Sequence, residues 1–208
     1  MPRVLPYVAL LLAAPAIALA QAAPAATEDI GGWRLACAVD RMTDRAACLL
    51  RLQEWVERPA GGAGGLALEI IDRQGRLVPA VTARDLTLDS ATRGLLALTG
   101  TAQLRFPPNR LFEMPCGLDG RSIVCAPRAE DAARAEAELL AAYRALVRVV
   151  GTGAGPTTAE PAELRLAGTR EAVARFARQA PPQPSTGGEA LGVEPRELMQ
   201  RLLRLFGN

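Results

Sequence analysis

The stretch Gly31-Gly32-Trp33-Arg34-Leu35-Ala36-Cys37 brings a glycine pair, a tryptophan and a thiol together near the start of the chain. Within it Trp33, Leu35 and Cys37 alternate with charged or small residues, and this period of two predicts a half-buried β-strand. The same period places the three side chains on one face. We therefore expect the indole ring to pack in the core beside a disulfide, and not to form an exposed platform for a ligand.

The cysteines of the chain are Cys37, Cys48, Cys116 and Cys125. Four thiols allow three different sets of two disulfides. The pairs Cys37–Cys48 and Cys116–Cys125 each bracket a polar turn between two segments that should lie side by side. The pattern therefore predicts two hairpins, each closed by its own bridge. A bridge over a loop of the first size stabilises a fold by roughly 2–3 kcal/mol.

An export signal is predicted at the amino terminus. Arg3 supplies a positive charge, residues Val8 to Leu19 form an apolar run, and Ala18-Leu19-Ala20 has the small-x-small pattern of a cleavage site. This order is typical of a cleavable signal peptide over residues 1–20, and we expect residues 21–30 to be a disordered leader. The exported protein would be periplasmic or secreted, where an even number of cysteines forms disulfides.

The composition excludes several classes of function. All basic residues are arginines, because the chain has no lysine and no histidine. Nucleophiles activated by histidine, Schiff-base lysines and imidazole metal ligands are therefore excluded. The formal net charge is only +2 and the basic residues are not clustered, so no nucleic-acid partner is expected. No motif of the chain indicates a cofactor.

The middle of the chain predicts further short strands. Residues Leu66 to Asp72 and Leu77 to Thr82 alternate on either side of Asp72-Arg73-Gln74-Gly75, which is typical of a hairpin turn with a left-handed glycine. Shorter apolar pieces follow at Gly94 to Thr99 and Ala102 to Phe106. Several short strands separated by turn residues predict a sandwich or barrel and not a helical bundle.

The second half of the chain changes to helical spacing. Pro127 to Tyr143 begins with acidic residues and continues with leucines, which predicts a helix. Residues Ala145 to Val150 either continue this helix or form a buried strand. Glu163 to Ala167 is predicted as a last strand, and Thr169 as the cap of a second helix. We interpret the carboxylates of the first helix as a solvated face and not as an acid/base pair. They are Glu130, Asp131, Glu136 and Glu138.

A separate tail is predicted beyond a core domain of residues 31–179. Residues 180–193 are rich in proline and glycine and form a linker by composition. Residues 194–206 then place apolar side chains on one face of a helix and three arginines on the other. We interpret this tail as a helix that docks on a partner or on the domain's own surface, with weak contact to a membrane surface and a frayed end as the alternatives. Its candidate binding residues are Leu198, Leu202, Leu205 and Phe206.

Several landmarks resemble the invasion-associated locus B family of bacteria. They are Trp33-x-x-x-Cys37, Cys48, the Cys116 and Cys125 pair followed by a helix with Glu138-Leu139-Leu140, and Leu164-x-Leu166-Ala167-Gly168-Thr169-Arg170-Glu171-Ala172. Their order is similar over the core domain. The resemblance implies a secreted, mainly β protein, an immunoglobulin-like β-sandwich with one or two short helices and two disulfides. That family has no assigned catalytic residues, so the resemblance implies none here.

These observations predict a non-enzymatic periplasmic or cell-envelope protein that binds a protein or an envelope component. The family resemblance implies that this binding serves host interaction or virulence. The alternative is a carboxylate-based periplasmic hydrolase that acts on a glycan. Such an enzyme needs two acidic residues about 5 to 9.5 Å apart in a cleft with aromatic platforms for sugars. Trp33 and Trp55 are the only tryptophans. Paired carboxylates in a deep pocket would favour the enzyme.

Overall fold

The computed structural model describes residues 26–182, apart from residues 40, 43, 45, 61–63, 85 and 87–93. The strands of this part of the chain are β1 (Ala26–Ile30), β2 (Trp33–Val39), β3 (Ala46–Glu57), β4 (Leu66–Arg73), β5 (Arg76–Ala83), β6 (Thr101–Arg105), β7 (Phe112–Asp119), β8 (Ser122–Cys125), β9 (Arg144–Val150) and β10 (Ala162–Arg165). The helices are α1 (Leu96–Thr99), α2 (Ala132–Ala141) and α3 (Thr169–Gln179), with short 3-10 turns at Ala129–Asp131 and Pro156–Thr158. The predicted signal peptide and the predicted tail helix, with Leu198, Leu202, Leu205 and Phe206, lie outside the described residues.

The strands form one continuous antiparallel sheet that folds over on itself. Within the described residues their order is β1-β2-β3-β4-β5-β8-β7-β6-β9-β10. Strand β7 changes its partner along its length, because Phe112 to Pro115 pair with β6 while Cys116 to Asp119 pair with β8. A first half of the sheet, β1 to β5 with β8, is thereby joined to a second half, β6, β9 and β10. The predicted mainly β, sandwich-like class is confirmed.

One large hydrophobic core contains residues from both halves of the sheet. In β9, for example, Ala145, Val147 and Val149 are buried while the residues between them are half-buried. Helix α3 packs on β1 to β3 through Val173 and Phe176, and helix α2 packs against β5. Among the described helices, none combines the length and the apolar character of a membrane span.

Both predicted disulfides are confirmed. Cys37 lies directly opposite Cys48 in the β2–β3 pair, and Cys116 lies opposite Cys125 in the β7–β8 pair. The Cα atoms are 4.0 Å apart in the first bridge and 3.9 Å apart in the second. Two such bridges fit an oxidising extracellular compartment.

The predicted β4–β5 hairpin is confirmed as well. Gln74 and Gly75 both have positive φ values, 56° and 81°, and the Gly75 N–H donates to the Asp72 carboxylate at 2.8 Å. Pro79 lies in the part of β5 that pairs with β4 alone, since pairing with β8 begins only at Val81. A proline lacks the N–H that a second neighbouring strand would need, so this one-sided position tolerates it.

Two predictions about element type are wrong. Residues 26–30, expected to belong to a disordered leader, form strand β1, because pairing with β2 and burial of Ile30 outweigh the alanine-rich local composition. The piece from Gly94 to Thr99, expected to be a strand, contains helix α1. Its leucines and alanine are good helix formers, and the apolar run alone does not separate the two possibilities.

The structure also decides two details around the helices. Residues 144–150 form strand β9, so the strand alternative is the correct one. Helix α3 was predicted to be capped by Thr169, but Thr169 is its first residue and Gly168, with φ 77°, is the cap. The Thr169 hydroxyl accepts a hydrogen bond from the Trp33 indole N–H and donates one to the Leu166 carbonyl.

Candidate functional site

The two sequence segments that carry the family resemblance meet in space. Trp33 is fully buried, as predicted, and its indole N–H donates to the Thr169 hydroxyl at 3.0 Å. That hydroxyl donates in turn to the Leu166 carbonyl at 2.8 Å, and the Gly32 N–H donates to the Ala167 carbonyl at 2.9 Å. The Trp33 and Thr169 side chains of this junction are both buried, so we assign their hydrogen bond a structural role.

Two glycines allow the junction to close. Gly31 has φ 58°, and a Cβ atom on it would lie 2.4 Å from the Ala167 carbonyl oxygen. A Cβ atom on Gly168 would lie 3.1 Å from the Gly31 Cα atom. Any side chain at Gly31 would therefore push the amino-terminal turn away from the start of α3.

Three of the four carboxylates predicted as a solvated face, in helix α2 and the 3-10 turn before it, are paired with arginines. Arg134 bridges Asp131 at 3.0 Å and Glu138 at 3.2 Å, while Glu136 bonds to Arg76 at 2.9 Å. All of these side chains except Glu138 keep at least 30% of their surface exposed. The arrangement is that of a charged surface and matches the predicted solvated face more closely than a catalytic pair.

Two other carboxylates are buried, and each is tied to a different part of the chain. Glu69 in β4 is completely buried and bonds to Arg84 at 2.6 Å. Glu57 at the end of β3 accepts hydrogen bonds from the Thr157 hydroxyl and from the Gly155 N–H. The Glu57 bonds fasten the loop after β9 to the sheet, so we assign this carboxylate a structural role.

A first cleft lies where β10 approaches β3. It has a volume of about 520 Å³ and is lined by Glu54, Trp55, Arg58, Glu163, Leu164 and Arg165. Its two carboxylates are already bonded, Glu54 to the Arg165 N–H at 2.9 Å and Glu163 to Arg144 at 3.0 Å. Both are also well exposed, with 42% and 56% of their side-chain surface open.

The indole ring in this first cleft has few free surfaces. The Arg51 guanidinium lies 4.7 Å from the centre of the Trp55 ring. The Gly65 backbone also lies against the ring, because a Cβ atom there would be 2.6 Å from Trp55 Cζ3. A sugar would have to displace these neighbours to stack on the ring, so the cleft lacks the ready aromatic platform that a glycosidase uses.

A second cleft lies on the outer face of the β6–β9 pair. We call it the Arg148 cleft, and its volume is about 190 Å³. The pleat alternates buried Leu104 and Val147 with outward-facing neighbours, and the register places Gln103 opposite Arg148. The residues that line it are Gln103, Arg105, Leu111, Leu146, Arg148 and Pro161.

The arginines around the Arg148 cleft differ in what they bind. The Arg105 Nε donates to the Asn109 carbonyl at 2.9 Å. Arg144 pairs with Glu163, and the hydrogen bond to that carboxylate raises the pKa of the Arg144 guanidinium. Arg148 has no ion pair within the described residues, and its Nε is buried without a hydrogen-bond partner. The Nε atoms of Arg144 and Arg175 are buried without a partner as well, but both of these guanidinium groups make an ion pair, so the missing ion pair is what distinguishes Arg148.

The sequence pattern indicates one wall of this cleft, the β9 wall, but not the other. Arg144, Leu146 and Arg148 alternate with buried residues in β9, but the stretch also fitted the end of a helix. The partner residues Gln103 and Arg105 come from β6, and only the β6–β9 pairing brings them alongside. Among the described residues, no group of three thiol or acidic side chains is arranged to hold a metal.

Comparisons with known proteins give no further identification. No protein-family model, no curated protein and no solved structure matches this chain. Its activity must therefore be inferred from its own residues.

Proposed function

We propose that this chain is a non-enzymatic, exported protein of the bacterial cell envelope that binds a protein or an envelope component. The observation that carries the proposal is the Arg148 cleft, an outward-facing site with an apolar floor and an unpaired guanidinium. Half-buried arginines are usually paired, because an unmade hydrogen bond at a buried donor is costly. Arg144 and Arg175 each pair with a carboxylate of the chain, whereas Arg148 makes no ion pair within the described residues, and a binding partner would supply its carboxylate.

The compartment and the family type are part of the same proposal. The two hairpin disulfides favour an oxidising compartment, and the apolar amino-terminal run with its small-x-small site favours export by a signal peptide. The contact of Trp33 with Thr169 supports the invasion-associated locus B type, since both residues belong to the segments that resemble that family. Host interaction is the process that this type implies.

A hydrolase is the weaker candidate. It would use the first cleft, where Glu54 and Glu163 lie on either side of the seam between β3 and β10. Both carboxylates are open to solvent and bonded to arginine groups, and the Trp55 ring is in contact with Arg51 and Gly65. This setting is unlike the enclosed carboxylates of glycosidases.

A comparative pull-down tests the binding function. Wild-type protein and an Arg148→Glu variant are immobilised and exposed to envelope extracts of the source bacterium, with Arg178→Glu as the control. Arg178 is exposed near the end of α3. We expect a partner retained by wild type and by the control to be lost from the Arg148 variant. Equal retention by all three proteins would contradict binding through this face.

The hydrolase has its own test. Turnover of peptidoglycan fragments that is abolished by Glu54→Gln would favour the hydrolase.

A further inference from the structure

The Arg148 cleft joins a charged group to an apolar floor in a space the size of one or two side chains. Leu146 lies in the floor, and Leu111 at its rim keeps 47% of its surface exposed. With a volume of about 190 Å³, the cleft is smaller than a typical pocket for a whole small molecule. Its size suits a short piece of a larger ligand.

The charged part of the cleft points to an oxyanion. A guanidinium offers several N–H donors in a planar fork that matches the two oxygens of a carboxylate. The Arg148 Nε is buried and unbonded, and Gln103 lies directly opposite on β6 with a further amide. Arg105 adds positive charge while its Nε is already bonded to a backbone carbonyl. One carboxylate could pair with the Arg148 guanidinium without displacing an ion pair of the described residues.

The surroundings favour a peptide over an anionic membrane. Glu113 pairs with Gln103 across β6 and β7 and is exposed on the same outer face. Glu163 on β10 is also exposed at the opposite side of this face. A flat anionic surface would bring several phosphates against both carboxylates at once, whereas a peptide brings a single carboxylate to Arg148. Like charges brought together in this way oppose binding.

We infer that the Arg148 cleft binds an acidic peptide segment, in which a glutamate or aspartate carboxylate pairs with Arg148 while a neighbouring aliphatic side chain lies on Leu146 and Leu111. This inference rests on the proposed binding function and names the chemistry of the ligand. The contact with Leu146 and Leu111 buries apolar surface and so favours binding, while the ion pair with Arg148 fixes the position of the peptide.

The test uses two peptides that differ in one group. Binding of acetyl-Leu-Glu-Leu-amide and of acetyl-Leu-Gln-Leu-amide to the full chain is followed by NMR, through the Arg148 Nε–H and the amides of β6 and β9. We expect the glutamate peptide to bind at least tenfold more tightly, with an advantage that shrinks as salt is raised. Shifts confined to the β6–β9 face are expected for this peptide. Equal affinity of the two peptides, or shifts on another face, would overturn the inference.

Variants of Arg148 then separate the effect of its positive charge from the effect of its planar guanidinium geometry. Arg148→Gln should remove the preference for the glutamate peptide, Arg148→Lys should keep part of it, and Arg178→Gln should keep all of it. The thermal unfolding of each variant is recorded, and the peptide comparison on wild type does not depend on any of them. If Arg148→Gln still prefers the glutamate peptide, the proposed ion pair with Arg148 is wrong.

Two further outcomes distinguish the ligand class from the function. Vesicles of phosphatidylglycerol and phosphatidylcholine are tested in parallel, and binding to them in the absence of peptide binding would overturn the peptide in favour of a membrane. If the pull-down partner is lost on Arg148→Glu while neither peptide binds, the binding function stands and the acidic peptide does not. Failure of both experiments would overturn the function itself.

Discussion

Single residues join distant parts of this chain through buried hydrogen bonds. Trp33 and Thr169 are 136 positions apart, and Glu57 and Thr157 are 100 positions apart. In both pairs the groups are shielded from water, where an unpaired donor or acceptor costs more than the bond itself is worth. Removing one hydrogen-bonding group of such a pair should therefore lower the free energy of unfolding by more than the loss of so few atoms suggests.

Thr169→Val keeps the shape of the side chain but removes its hydroxyl. The Trp33 N–H would lose its acceptor and the Leu166 carbonyl would lose a donor. We expect the free energy of unfolding to fall by about 1–3 kcal/mol, measured by urea denaturation followed through tryptophan fluorescence. Thr169→Ser retains the hydroxyl and serves as the control. Equal losses in both variants would mean that the methyl group, and not the hydroxyl, is what matters.

The ion pair of β1 with β2 gives a pH-dependent prediction. Hydrogen bonding to Arg34 lowers the pKa of Asp29, so the folded state binds this proton less readily than the unfolded state. The pairing therefore stabilises the fold above the ordinary pKa of the carboxyl, and that contribution is lost as the pH falls through the lowered value. We expect Asp29→Asn to reduce the Tm slightly at neutral pH, and to have no effect in strong acid.

The salt dependence of the same variant supplies a control. Asp29 and Arg34 are both about half exposed, so their attraction is screened by salt. The difference in Tm between wild type and Asp29→Asn should shrink at high ionic strength. A difference that persists in strong acid would show that Asp29 acts by packing and not by charge.

Among the elements, the hairpins were predictable because their signals are local. A turn such as Gln74-Gly75 and the alternation on either side of it lie within a few residues, and the structure reproduces them. Strand β1 and helix α1 were not predictable in the same way. Strand β1 exists because β2 lies beside it, and α1 depends on how a short apolar run packs on β7. The Arg148 cleft was missed for the same reason, since its two walls come from separate strands.

The junction of the β1–β2 turn with α3 gives a prediction with a matched control. Gly31 and Gly120 have nearly equal φ values, 58° and 56°, but only Gly31 lies against another backbone. Gly120→Ala should cost about 1 kcal/mol, the penalty of a left-handed alanine. Gly31→Ala should cost a further 1–3 kcal/mol or so, because its methyl group must displace the Ala167 carbonyl. Similar losses in the two variants, measured by urea denaturation, would show that the close approach is absent in solution.

For the molecule as a whole, the two disulfides lie within hairpins and do not link the halves of the sheet. We expect the double variant Cys37→Ser with Cys48→Ser to lose roughly 2–3 kcal/mol of unfolding free energy, since the closed loop is short. The second bridge should contribute a similar amount. Urea denaturation with and without a reductant measures the sum. An unchanged midpoint after complete reduction would contradict this prediction.

The first disulfide lies beside both the start of β1 and the end of α3. Ala26 at the start of β1 pairs with Cys37, and the Gln179 Oε1 atom at the end of α3 lies 2.7 Å from Cys37 Sγ. Two segment ends that lie this close can be joined by a short linker, as in a circular permutation. A shortened variant of residues 26–179, with its two ends joined by a glycine-rich linker and its backbone reopened at the Gln74-Gly75 turn, should therefore keep the same strand order. Disulfide mapping and circular dichroism of this variant test whether the order of the strands depends on the turn at which the backbone is interrupted.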